Sequence, residues 1–194
     1  PLFGLVEGLM KPNALERWKG LPKVADSTLS NLSSDYLTIT RIAGNSEALS
    51  ISVFMPPEYD PKPVTDSGRV ADNIINLDLS GLPIGKSEMD MVSNCGNLEW
   101  LEVDQTPITD KETDTLKVLS KLRILKIYNT SITDASIASL KKMNGLERIY
   151  LWNTKISEQG LNELQQIKPN LSIDLGIAPE LKKFFIHKDP IQKN

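Results

Sequence analysis

An α/β solenoid of 24-residue units is the fold this sequence predicts, on three observations. Apolar pairs recur at a fixed step, each pair has period-2 spacing, and a hydroxyl residue stands where a helix starts after three of the four turns. The pairs are Leu77/Leu79, Leu101/Val103, Leu125/Ile127, Ile149/Leu151 and Ile173/Leu175. The anchors Ile74, Leu98, Leu122 and Leu146 keep the same step, as do Ile84, Ile108, Ile132 and Ile156 beyond each turn.

Two apolar residues separated by one other define a short strand with one face buried. The turns that follow read GLPIG, QTPIT, NTSIT and NTKIS. Thr109, Thr133 and Ser157 are placed to accept from the orphan N–H groups of a helix start, and Thr109 with Glu112 has capping-box spacing. The helices carry apolar residues three apart: Met89, Val92, Cys95; Leu116, Leu119; Ile137, Leu140, Met143; Leu161, Leu164, Ile167. One strand and one short helix cannot bury their own apolar face, so neighbouring units must stack. Parallel strands then line the concave side about 4.8 Å apart, and helices line the convex side.

The organisation expected is a helical N-terminal extension or cap over residues 1–35, a solenoid over 36–176 with its clear repeats at 74–176, and a C-terminal cap and tail over 177–194. ALERW and STLSNL read as helical, YLTITRI as a strand that begins the sheet, and LSISVF as a degenerate repeat broken by the Pro-rich insert PPEYDPKPV. Leu181, Phe184 and Phe185 are expected to cap the far end.

Composition narrows the chemistry. In 194 residues, 22 basic against 25 acidic side chains leave a net charge of −3 and no basic run to gather a phosphate backbone, so nucleic acid is not an expected partner. Leu2 to Met10 is too short for the roughly 20 residues of a membrane span, so no insertion by this segment is expected. A single cysteine excludes an internal disulfide framework and a multi-thiol metal site. The lone His187 leaves a His-dependent triad one poorly placed candidate. No catalytic activity, cofactor or metal is expected.

Between the inward strand positions, three columns point at the concave surface. They are Asn76, Trp100, Ile124, Arg148; then Asp78, Glu102, Lys126, Tyr150; then Ser80, Asp104, Tyr128, Trp152. Four of these positions are Trp or Tyr, against three Trp and four Tyr in the whole chain. Trp100, Ile124, Tyr128, Arg148, Tyr150 and Trp152 form an amphipathic patch of the kind enriched at interfaces, suited to a protein, peptide or glycan. The plainer alternative is that aromatics favour strands, or that the N-terminal segment or Pro-rich insert covers them. Asp78, Glu102 and Asp104 form an acidic constellation suited to a hard cation, a cationic ligand or a general acid–base pair. Its plainer alternative is a solvated acidic face partly neutralised by Lys126.

Gly85-Lys86-Ser87 lacks the earlier glycine of a phosphate loop, since Ser80 stands there and Gly81 is one place off. Cys95 shares a helix column with Leu119, Met143 and Ile167 and reads as a small buried hydrophobe.

LEWLEVDQTPI, LRILKIYNTSI and LERIYLWNTKI resemble the L-x-x-L-x-L-x-x-N/C-x-L pattern of leucine-rich repeats over Ile74 to about Gly176. The departure is threonine at 106, 130 and 154, where a hydroxyl that donates and accepts serves the buried loop backbone. The T-x-I-T-D endings and the run RIYLWNTKIS are, more narrowly, similar to the C-terminal repeat domains of bacterial multidomain membrane-associated c-type cytochrome proteins. That resemblance implies a non-catalytic interaction module in a larger envelope protein, a periplasmic or otherwise extracytoplasmic location, and a covalently linked upstream haem domain. It equally admits a structural spacer. No C-x-x-C-H motif occurs in this chain.

Overall fold

The computed structural model describes residues 16–176. Seven strands form one sheet in chain order: β1 (Leu37–Arg41), β2 (Leu49–Val53), β3 (Ile74–Asp78), β4 (Trp100–Glu102), β5 (Ile124–Lys126), β6 (Arg148–Tyr150) and β7 (Ser172–Asp174). From β2 onward every pair is parallel. Leu77 pairs with Leu101, Leu125 with Leu101 and Ile149, and Ile173 with Ile149, so the sequence step is the spatial register. The fold is a leucine-rich-repeat solenoid, with strands on one face and helices on the other.

Only β1 departs from the parallel order. It runs antiparallel to β2, pairing Leu37 with Val53 and Arg41 with Leu49. The connection over 42–48 is too short for the crossover of a dozen or more residues that parallel strands require, so the chain must reverse. It does so in a turn closed by Ile42 N to Ala48 O and Ser46 N to Ala43 O.

Helices α1 (Asp26–Leu32), α2 (Lys62–Asp66), α3 (Lys86–Ser93), α4 (Asp110–Thr115), α5 (Ile137–Leu140) and α6 (Glu158–Ile167) are mostly short. Several are extended or preceded by 3₁₀ turns at Ser67–Asn73, Leu116–Val118 and Asp134–Ser136. The spacing of apolar residues by three explains this. Residues i and i+3 eclipse in a 3₁₀ turn, whereas on a true α-helix each such step drifts about 60° around the axis. Leu116 and Leu119 both stay buried across their 3₁₀ turn. α6 is a continuous α-helix through Ile167, and there the drift is visible. Leu161 is half-buried, Leu164 is buried, and Ile167 is 50% exposed, which corrects the expectation that all three face the core.

The core is the stack of inward columns. Leu77, Leu101, Leu125 and Ile149 are fully buried, as are Leu79, Val103 and Ile127. Each such side chain contributes about 1.5–3 kcal/mol on burial. Burial fades at the last unit, where Ile173 is half-buried and Leu175 exposed. At the other end Trp18 packs on Ala48 and Ile75, and its indole N–H donates to Glu99 Oε1 at 2.9 Å. The expected C-terminal cap, with Leu181, Phe184, Phe185 and His187, lies outside the described residues, as do residues 1–15.

Candidate functional site on the concave face

The turns that position the concave face are built from repeated polar devices. Thr106, Thr130 and Thr154 each donate their hydroxyl to the carbonyl three residues back, at 2.6, 2.7 and 2.9 Å. Thr109, Thr133 and Ser157 cap the helices as expected, with Glu112 completing the capping box at Thr109. A further ladder joins successive units. Asp110 accepts from both Thr133 N and Thr133 Oγ1 at 2.8 Å, and Asp134 accepts from Ser157 N and Ser157 Oγ at 2.7 and 2.6 Å. Burial pushes the Asp110 carboxyl up, but the hydrogen bonds from Ser136 and Thr133 hold it below its ordinary value. Those from Ser157 hold Asp134 down likewise.

Immediately after each strand pair the chain takes a left-handed turn, at Gly81 (φ 73°), Gln105 (57°), Asn129 (52°) and Asn153 (54°). This column was readable as Gly, Gln, Asn, Asn at a constant step. Three of the four fit it, since Gly and Asn tolerate positive φ, whereas Gln105 bears strain.

On the concave surface the strand register makes Asn76, Trp100, Ile124 and Arg148 one row of neighbours, and Asp78, Glu102, Lys126 and Tyr150 another. The predicted patch is assembled. Tyr128 stacks on Trp152 with centroids 3.7 Å apart, and Tyr150 meets the Trp152 edge at 5.9 Å. Lys126 Nζ lies 5.4 Å from the centre of the Trp100 ring and 5.9 Å from that of Tyr150, while bonding Glu102 Oε2 at 2.9 Å. Trp100, Ile124, Tyr128, Tyr150 and Trp152 are half-buried and Arg148 is exposed. Gly176 takes a left-handed backbone (φ 73°) beside Trp152, where a Cβ would sit 3.1 Å from the Trp152 side chain.

The acidic constellation is not gathered in the same way. Asp78 Oδ1 accepts from Ser80 N and Ser80 Oγ at 3.0 and 2.6 Å. Glu102 is paired with Lys126; burial is the main cause that raises its pKa, with Asp78 and Asp104 adding to the rise. Asp104, expected on the open face, is 1% exposed. It stands past the strand end, where the turn at Gln105 draws the chain inward. Its Oδ2 accepts from Gln105 Nε2, and its Oδ1 has no hydrogen-bond partner among the described residues. Burial, followed by Asp104 and Glu102, pushes the Tyr128 phenol up to about 12. Among the described residues no three His, Cys, Asp or Glu side chains converge as metal ligands. Cys95 is buried, and burial raises its thiol to about 12.

Among the described residues, no hydrogen bond or ion pair joins the N-terminal segment or the insert to the concave aromatics. Arg17 and Trp18 reach Glu99 at the strand-entry edge, and Tyr59 of the insert donates to Glu88 Oε1 at 2.6 Å, at the start of α3. Sequence reasoning missed that the face continues backward. Ser50 and Ser52 pair with Asn76 and Asp78, and Thr40 and Thr38 pair with Ser50 and Ser52. Strand alternation puts Phe54, 61% exposed, on the same face. The irregular step between Leu49 and Ser50 hid this continuation.

No protein-family model matches the chain, and no curated protein does. Solved structures similar to it include internalin C2 of Listeria monocytogenes, at 24% identity and a TM-score of 0.46, covering 58% of this chain and 46% of that one. A leucine-rich-repeat protein of Leptospira interrogans is 18% identical, with a TM-score of 0.43 and coverage of 63% and 29%. The tropomodulin C-terminal domain of Caenorhabditis elegans is 15% identical, with a TM-score of 0.48 and coverage of 65% and 88%. The chain spans under half the length of the first two. Among the described residues no helix is long and apolar enough to cross a membrane.

Proposed function

We propose that this chain is a non-catalytic binding module that takes a polypeptide segment on its concave face, through Trp100, Ile124, Tyr128, Arg148, Tyr150 and Trp152. The observation that carries the reading is the cluster itself: Tyr128 stacked on Trp152, Tyr150 against its edge, and Lys126 held over Trp100 and Tyr150. Aromatic side chains locked by their neighbours lose little freedom on binding, which is what makes them efficient interface anchors. A polypeptide is favoured over a glycan because one face each of Tyr128 and Trp152 is taken by the other and Lys126 stands over Trp100 and Tyr150, which leaves fewer open aromatic faces for a sugar ring. The acidic residues support no hydrolytic reading, since Glu102 is paired with Lys126 and Asp104 is buried.

The test is selection of a random peptide library on the full chain, followed by titration of the selected peptides. Trp100→Ala/Tyr150→Ala should weaken binding at least tenfold while leaving the circular dichroism unchanged. Failure to select any peptide, or indifference to the double substitution, overturns the reading.

We further infer that the module sits in a larger extracytoplasmic protein with a linked haem domain. The support is the similarity of RIYLWNTKIS and the T-x-I-T-D endings to such repeat domains. A coding region lacking a C-x-x-C-H motif upstream overturns it.

A further inference from the structure

The inward columns lose their cover at the last strand. Leu101, Leu125 and Ile149 are 0% exposed, yet Ile173, the next member of their column, is only half-buried. Val103, Ile127 and Leu151 are at most 2% exposed, whereas Leu175 is 51% exposed. β7 is the final strand in the sheet order, so among the described residues no strand pairs with its outer edge. Each earlier unit is covered by the unit that follows it, and a solenoid end without that cover needs a capping segment with a polar outer face. An open edge flanked by exposed apolar side chains otherwise invites association with another chain.

The sequence beyond this strand has the composition of such a cover. The left-handed turn recurs at Gly81, Gln105, Asn129 and Asn153, and the same step would place the next one at position 177. It falls at Gly176 instead (φ 73°), so the chain leaves the repeat path one residue early. Residues 177–194 then read IAPELKKFFIHKDPIQKN. Pro179 suits the first position of a helix, Glu180 its first turn and Pro190 a stop beyond it. Leu181, Phe184 and Phe185 fall at i, i+3 and i+4, one face of such a helix, with Lys182 and Lys183 off that face. A helix of about ten residues is about 15 Å long, enough to reach across the end of the last unit. Charge agrees with this seating: residues 158–176 carry Glu158, Glu163 and Asp174 against Lys168, and residues 177–194 carry Lys182, Lys183, Lys188 and Lys193 against Glu180 and Asp189. Tethering favours this occupant over a second copy, because a segment joined to Leu175 by a few residues is present at a high effective concentration.

We infer that residues 179–188 dock on the open end of their own chain, with Leu181, Phe184 and Phe185 seated on Ile173 and Leu175. Docking there closes the last unit against other chains and leaves the concave face as the side available to a partner. It does not depend on the polypeptide-binding reading of that face.

The test reads thiol accessibility in the full chain. Leu175→Cys places a reporter on the open end, while Cys95, buried with its thiol raised to about 12, stays silent and reports an intact core. The reporter should react with a maleimide at least about tenfold more slowly than it does in a Phe184→Ser/Phe185→Ser background, because reaction requires the segment to open. Phe184→Leu/Phe185→Leu should retain the protection. In the chain without the reporter, amide exchange over Ser172–Asp174 should accelerate in Phe184→Ser/Phe185→Ser by a similar factor, which excludes an effect of the reporter itself. Equal reactivity of the reporter in both backgrounds, with Cys95 unreactive in each, overturns the inference. Protection that survives Phe184→Ser/Phe185→Ser and grows with protein concentration also overturns it, and assigns the surface to a second copy.

Discussion

The turn side of the solenoid and its concave face use polar residues in opposite ways. At the turns each repeated polar group is matched by the next unit or by its own strand: Thr106, Thr130 and Thr154 to carbonyls, Asp110 to Thr133, Asp134 to Ser157. On the concave face Asp78 and Arg148 lack ionic partners among the described residues. Stacked units must satisfy their buried polar groups because an unmade hydrogen bond costs about 1–3 kcal/mol. A face left unmatched contributes little to stability and is free to serve a partner. If the concave face binds as proposed, stability and recognition are segregated by side, and each side should respond differently to substitution.

The largest effect belongs to the turn ladder. Asp110→Ala removes a charged acceptor shared by Thr133 and Ser136 and should destabilise the chain by about 2 kcal/mol in urea unfolding. The ladder also sets the acid response. The folded pKa of Asp110 and that of Asp134 are lowered from an ordinary 3.8, so their contribution is complete above that pH and is lost as pH falls through the lowered folded values. Glu102 acts oppositely: its raised folded pKa makes it more favourable as pH falls through that value. Asp110→Asn/Asp134→Asn should therefore flatten the acid limb of a Tm-against-pH curve. An unchanged acid limb in that variant means the ladder is ornamental.

A smaller effect, of opposite sign, is expected at Gln105. The same left-handed turn is occupied by Asn at 129 and 153, and Asn153 Nδ2 donates to Asn129 Oδ1 at 2.6 Å. Gln105→Asn should relieve strain and raise stability by about 0.5–1 kcal/mol, read as a shift in the urea midpoint at constant slope. A drop in stability would mean that the Gln105 contact with Asp104 outweighs the backbone strain.

How much of this was legible in the sequence follows the same division. Periodicity fixes the inward columns because burial is enforced at every step, so Leu77, Leu101, Leu125 and Ile149 were readable and the register followed. The caps at Thr109, Thr133 and Ser157 were readable for the same reason. Three things were not. The antiparallel β1 depends on the length of the 42–48 connection, a topological constraint that periodicity does not carry. The burial of Asp104 depends on where a strand ends and a turn begins. The exposure of Ile167 depends on whether a unit completes its convex segment in an α- or a 3₁₀-turn, which spacing by three suggested and which no single residue specified.

The weakest expected effect on stability is at the concave charges, and its smallness is the point. Asp78→Asn and Arg148→Gln replace exposed or half-buried groups that have no ion pair among the described residues, so each should change the unfolding free energy by no more than about 0.5 kcal/mol. Asp78→Asn keeps an oxygen that can still accept from Ser80. If either change instead destabilised the chain as much as Asp110→Ala, that charge would belong to the scaffold and the separation of the two sides would fail. If both are neutral in urea, the solenoid carries at those positions charge that its own fold does not use.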